Sequence, residues 1–199
     1  ITTLHGNGPK ANFSRNGDLK SFSAVEQIQN HLKFDYINYP SKYSMNMVGK
    51  RSHLIPNNKL INLGYPRCDQ FFDQNLVNLK LINRKIIKSI FNKFSDSSKV
   101  IFYTPTWRPY KFEFPLFKMK NFSEKLFNQW LEEKNLYFIY SSHTAHSPTN
   151  FLAETDRVHN LNNNIDPFID INSLMLEIDI LLNDYSTTST EFAILNKPQ

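Results

Sequence analysis

Residues 136–140 read Leu-Tyr-Phe-Ile-Tyr, an unbroken apolar and aromatic run only five residues long. An amphipathic helix or a half-exposed strand would interrupt such a run with polar residues at its own period, whereas a strand covered on both faces does not. The pattern recurs upstream in Val100-Ile101-Phe102-Tyr103-Thr104 and downstream in Ile178-Asp179-Ile180-Leu181-Leu182. Between these runs the period changes. Phe122, Leu126, Phe127, Trp130 and Leu131 mark a helical stripe with Asn121 or Ser123 as its N-cap, Ile171 to Glu177 a short helix, and Thr188 to Leu195 a final one. Arg157 to Asn160 reads as a weaker strand. Apolar strands alternating with helices imply an α/β fold, doubly wound, around a parallel sheet.

Residues 1–77 extend the pattern upstream: a strand at Ile1 to Leu4, a Gly/Asn/Pro loop, a helix from about Leu19 to Leu32, and strands at Tyr36 to Tyr39 and Leu60 to Leu63. We read them as the C-terminal part of one α/β domain and residues 78–199 as a second. In open parallel sheets ligands sit beyond the carboxyl ends of the strands. The residues to examine are therefore His5, Pro105 to Arg108, Ser142 to His146, and Asp184 to Thr188.

Composition narrows the class. With 14% aromatic and 21% charged residues the chain is globular, not intrinsically disordered. Cys68 stands alone, which excludes an intrachain disulfide and fits a reducing compartment. No apolar run approaches the roughly 18 residues of a membrane-spanning helix. A basic-then-apolar leader is missing, and the chain opens on Ile1 and stops at Gln199 straight after a helical pattern, so it reads as a fragment.

The formal charge of +5 is unevenly spread. Residues 78–120 hold ten basic and two acidic side chains, residues 150–199 two and eight. The basic segment begins with a helical pattern from Asn78 to Phe94, in which Leu79, Ile82, Ile86, Ile90 and Phe94 form the stripe and Lys80, Arg84, Lys88 and Lys93 lie largely elsewhere. Such a helix either packs its stripe on its own domain or lies on an anionic membrane surface. Nucleic acid is not an expected partner, since no zinc-finger spacing or RNA-recognition signature is present.

Two stretches carry chemistry. Asp184-Tyr185-Ser186-Thr187-Thr188-Ser189-Thr190-Glu191 runs from a strand into hydroxyl residues that open a helix. Free N–H groups at a helix start, with added hydroxyl donors, suit a phosphate, and Glu191 one turn on suits ribose hydroxyls; the plain alternative is N-capping by Ser186 or Thr187. Thr104-Pro105-Thr106-Trp107-Arg108 offers a stacking plane and a phosphate clamp, or else a buried Trp beside an ion-paired Arg. Among the histidines, His5 precedes a Gly-rich loop and His143 and His146 follow a strand, positions suited to general acid/base work; His31, His53 and His159 show no partner. No Walker loop, complete Gly-x-Gly-x-x-Gly, nucleophile elbow or metal-ligand set is visible, so no metal or cofactor is expected.

Taken in order, His5-Gly6-Asn7-Gly8-Pro9-Lys10, Leu63-Gly64-Tyr65-Pro66-Arg67-Cys68-Asp69, Ile101 to Arg108 and Asp179 to Thr187 resemble the "HGTPLK", "GYPRND", "ILYAPTWR" and "DVLITDYSS" motifs of the CDP-glycerol glycerophosphotransferase family, the teichoic acid polymerases and primases and related capsule enzymes. The resemblance implies two Rossmann-like domains of the GT-B type with the site in their cleft. It implies transfer of glycerol phosphate or ribitol phosphate from CDP-glycerol or CDP-ribitol to a hydroxyl of a lipid-linked polymer, with release of CMP, at the cytoplasmic face of the membrane as a peripheral protein.

By the same resemblance His5 is the general base and His143 a second active-site histidine, with His146 the alternative because it stands two residues before Pro148. Arg108, Thr106, Ser186, Thr187 and Thr188 would bind the diphosphate and Glu191 the ribose. Asp184, Gly64, Pro66, Arg67 and Asp69 would be structural members of the motifs. The sequence departs from the family at Asn7-Gly8-Pro9, in place of "TPL", and at Glu191, where Asp is usual. Competing readings are a sugar-nucleotide glycosyltransferase of the same fold and a non-catalytic module at the membrane surface.

Overall fold

Two parallel sheets organise the chain, one in each of the units Ile1–Asp69 and Gln70–Gln199. The computed structural model describes residues 1–3, 22–72, 76–106, 120–141, 152–163, 170–184 and 186–199.

In the first unit β1 (Thr2–Thr3), β2 (Ile37–Tyr39) and β3 (Leu60–Asn62) lie side by side in sequence order, with Thr2 opposite Ile37 and Ile37 opposite Leu60. Helix α1 (Phe22–Leu32) is the crossover between β1 and β2, which parallel pairing requires. All three residues of β2 are buried, as a central strand demands. Ser41 then caps α2 (Lys42–Ser44) by accepting from Ser44 N, and the chain widens into a π-helical stretch, Met45–Lys50, that the sequence did not announce. Gly49 in this stretch lies directly on the core: a Cβ there would stand 2.9 Å from both Leu60 Cδ2 and Tyr39 Cζ. Short α3 (Pro66–Asp69) begins with proline at the first helical position, where its missing N–H costs nothing.

The second unit runs α4 (Leu76–Ile90), β4 (Lys99–Tyr103), α5 (Glu124–Glu133), β5 (Leu136–Tyr140), β6 (Val158–Asn160), α6 (Ile171–Leu174), β7 (Ile180–Leu182) and α7 (Thr188–Phe192). Its strands are ordered β6-β5-β4-β7, all parallel. The chain thus steps outward from β4 to β5 and β6, then returns to the other side of β4. With right-handed crossovers this reversal places α5 and α6 on opposite faces of the sheet.

Packing agrees. Ile101, Tyr103, Phe138 and Tyr140 form one core with Leu131 of α5. The alternate residues Val100, Phe102, Tyr137 and Ile139 are equally buried, and Phe91, just after α4, packs on Tyr137 at 4.7 Å between ring centroids. Continuous apolar strands are what a sheet covered on both faces requires.

Two local expectations are settled. Ser123, not Asn121, caps α5, accepting from Leu126 N, while Asn121 has a φ of +78°. Helix α4 ends at Ile90 instead of Phe94, because Phe91 and Phe94 turn inward onto Tyr137. Its buried side is also rotated from the expected stripe. Asn83 and Ile87 are buried and Ile82 is exposed, since Asn83 Nδ2 bonds Ser173 O (2.8 Å) and Oγ (2.9 Å) at the end of α6.

Candidate active site

Reversal of the winding beside β4 makes the carboxyl ends of β4 and β7 the topological switch point of the second unit, where sheets of this type open a crevice for ligands. The last rung of the β4–β7 ladder is the bond from Thr104 N to Leu182 O, at 3.0 Å. Two residues further along both strands, Asp184 takes over: its Oδ1 accepts from Thr106 N at 3.0 Å and also from Thr106 Oγ1. Thr106 is only 3% exposed. Thr104 Oγ1, also buried, has no hydrogen-bond partner among the described residues.

The hydroxyl turn begins two residues after Asp184, at Ser186. Ser186 Oγ accepts from Thr188 N (3.3 Å) and lies 3.1 Å from Thr188 Oγ1, so Ser186 closes the first turn of α7. Thr187 makes no side-chain cap, although Thr190 Oγ1 donates to its carbonyl at 2.7 Å. Ser186, Thr187 and Thr188 remain half-exposed, which leaves this side of the turn open to a ligand, and Glu191 is buried in α7.

In the first unit the equivalent carboxyl edge carries Gly64, Pro66, Arg67 and Asp69. Gly64 has a φ of +79°, a left-handed conformation that a side chain would strain. The residue that fixes this loop is Asn38 of β2, which the sequence reading missed. Its buried amide donates to Gly64 O at 2.5 Å and accepts from Leu63 N at 2.8 Å. Arg67 lies over the Tyr65 ring at 4.7 Å, starting α3 with Pro66, while Asp69 is exposed.

Histidines that the sequence left without partners have them. His53 Nδ1 is 2.9 Å from Tyr39 Oη, and its ring stacks on His31 at 5.4 Å. Burial first, and the neighbouring His31 second, lower the His53 pKa to about 4, so the ring is neutral at neutral pH. His159 on β6 approaches Glu154 at 3.6 Å; burial nevertheless lowers its pKa, against the pull of that carboxylate.

His5, Arg108, His143 and the alternative His146 lie outside the described residues. A pocket of about 460 Å³ among the described residues lies at the opposite, amino-terminal edge of the second sheet, beside Lys99 and Asp179. It does not adjoin the switch point. Among the described residues no helix is long and apolar enough to cross a membrane.

Parallel sheets with a switch point at the carboxyl ends of β4 and β7 make this an α/β protein of the doubly wound class, in which ligands sit beyond the strand ends. More specifically, the chain belongs to the CDP-Glycerol:Poly(glycerophosphate) glycerophosphotransferase family, whose model matches residues 1–199. It is 27% identical over 181 residues to the teichoic acid glycerol-phosphate primase of Bacillus subtilis (strain 168), covering 91% of this chain and 41% of the primase. Among solved structures, the wall teichoic acid polymerase TagF matches with a TM-score of 0.72 at 22% identity, over 100% of this chain and 48% of that one. A TagF variant soaked with CDPG matches equally, with a TM-score of 0.72 over 47% of its length. The chain therefore spans less than half the length of these relatives.

Proposed function

We propose that the full-length protein transfers glycerol phosphate, or ribitol phosphate, from CDP-glycerol or CDP-ribitol to a terminal hydroxyl of a lipid-linked teichoic acid or capsule polymer. Membership of the family supports the reading, and so do relatives named for teichoic acid synthesis and the TagF structure soaked with CDPG. The observation in this chain that carries it is the switch point itself, where the half-exposed hydroxyls of Ser186 to Thr188 stand at the carboxyl edge that receives phosphorylated ligands. The fold that accompanies the reading is the GT-B type, in which donor and acceptor meet in the cleft between two Rossmann-like domains.

The acceptor oxygen attacks the phosphorus that bears the alditol. The bond from that phosphorus to the bridging oxygen breaks, CMP departs with the bridging oxygen, and the acceptor proton passes to His5. Phosphoryl transfer depends on positioning and charge neutralisation more than on covalent chemistry. Arg108 and the Ser186–Thr188 turn supply the positive field and donors for the diphosphate, His143 serves the departing phosphate, and Glu191 lies with the ribose end of the site. No metal or other cofactor is required by this scheme.

A lipid-linked acceptor places the protein at the cytoplasmic membrane face as a peripheral protein. Helix α4 supports this placement: it has no acidic residue of its own, carries Lys80 and Lys85 besides Arg84 and Lys88, which pair with Asp96, and exposes Val77 and Leu81. The test of the base assignment is CMP release by the full-length enzyme with His5→Ala. Loss of turnover with retained CDP binding is expected; undiminished turnover contradicts the assignment.

A further inference from the structure

We propose that Asp184 is a positioning residue whose carboxylate continues the β4–β7 ladder by one rung and thereby holds the Ser186–Thr188 turn in register with the end of β4. The ligand named below rests on the function proposed above; the geometry does not.

Register carries the argument. Thr104 pairs with Leu182 through main-chain atoms, and Thr106 pairs with Asp184 two residues on in both strands. At that second position a side-chain oxygen accepts the N–H that a main-chain carbonyl would take in a longer strand. The β7 chain is thus free to leave the sheet at Asn183 without orphaning Thr106 N–H, a buried donor that is costly to leave unpaired. The Thr106 hydroxyl donates to the same oxygen, so neither donor of Thr106 needs a ligand.

Consequences extend to both candidate anion-binding stretches. Asp184 precedes Ser186 by two residues, and Thr106 precedes Arg108 by two. One carboxylate therefore joins Thr106 and Asp184, the described residues from which these two stretches continue. Both bonds to Asp184 are charge-assisted, and its Oδ1 is committed to holding the loop. The arrangement makes Thr106 part of the support for the site and leaves direct contact to the half-exposed hydroxyls that follow.

The test compares Asp184→Ala, Asp184→Asn, Thr106→Val and Thr106→Ser in the full-length protein. Hydrogen exchange by mass spectrometry of the segment 183–192 reads the clamp without any ligand. Asp184→Ala, which removes both bonds, should speed exchange there roughly tenfold or more, and Thr106→Val, which keeps the main-chain bond and loses only the hydroxyl's, roughly fivefold; the double variant should go no further than Asp184→Ala, and the two conservative variants should stay within about threefold of the unaltered protein. In turnover, the two disruptive variants should raise KM for CDP-glycerol by roughly tenfold with kcat changing much less. Asp184→Ala, which removes both bonds, leaving exchange of 183–192 unchanged overturns the proposal. So does Asp184→Asn as damaging as Asp184→Ala beside a harmless Thr106→Val, because Asp184 would then act on the substrate directly. Absence of CDP-alditol turnover in the unaltered protein counts against the proposed function alone, and the exchange result still decides the clamp.

Discussion

Replacing Asn38 with alanine should loosen the edge of the first unit that carries Gly64 and Arg67, by an amount the geometry sets. Asn38 lies on the central strand of its sheet, 2% exposed, and its amide makes the bonds to Gly64 O and Leu63 N. Each is worth about 1 kcal/mol net, and truncation strands both backbone partners and leaves a small void, so the total is about 2 to 3 kcal/mol. Expressed as opening of the sheet, that is roughly 30- to 160-fold faster exchange of the buried amides. Asn62→Ala is the internal standard. It removes one bond, Nδ2 to Tyr39 O at 2.9 Å, from a half-buried position, and should cost about 1 kcal/mol, or roughly fivefold. Hydrogen exchange by mass spectrometry on segments 36–40 and 60–65 measures both. An Asn38→Ala protein within threefold of the unaltered one, or an Asn62→Ala protein exchanging faster than it, would refute the reasoning.

Other expectations follow from the same coordinates. In α5, Leu131 is fully buried and Leu126 is 64% exposed, so in urea denaturation Leu131→Ala should cost about 3 kcal/mol and Leu126→Ala less than about 0.5; equal losses contradict the packing. His53 has a folded pKa of about 4, below its ordinary 6.5, so its contribution is complete above pH 6.5 and lost as pH falls to about 4. The loss is at most about 3 kcal/mol, and a His53→Asn variant should show a flatter stability profile over that window; an unchanged slope opposes the assignment. Charge reversal at Lys80 and Lys85 should weaken binding of the full-length protein to anionic vesicles roughly tenfold or more at low salt, and unaltered binding would remove α4 from the membrane contact.

Much of the fold was legible because its strands are unambiguous. Leu136–Tyr140 has the same bounds in sequence and structure, and the α6 and α7 segments match their expected starts at Ile171 and Thr188. These elements declare themselves through local pattern, a buried run between caps. The elements that escaped depend on contacts distant in sequence. Nothing local marks Met45–Lys50 as π-helical, and Gly49 is explained only by Tyr39 and Leu60 lying against it. The rotation of α4 likewise rests on Asn83 reaching Ser173, ninety residues away, which an apolar periodicity cannot reveal.

The site was legible as motifs and less so as roles. Asp184 and Thr106 stood out within their motifs, but their bond could be found only once β4 and β7 were neighbours. Asn38 carried no signal, since asparagine within a three-residue strand looks like an interruption until its two loop bonds are seen. Ser186, in contrast, does what a serine at a helix start does, and its capping bond leaves the open side of the turn available.

The measurement that bears most directly on the central claim is a donor screen on the full-length protein with a lipid-linked acceptor. CDP-glycerol, CDP-ribitol, UDP-sugars and GDP-sugars would be supplied side by side and the released nucleotide identified. The account predicts CMP, released only with a CDP-alditol and in step with acceptor elongation; UDP or GDP released from a sugar nucleotide, with CDP-alditols inert, would contradict it.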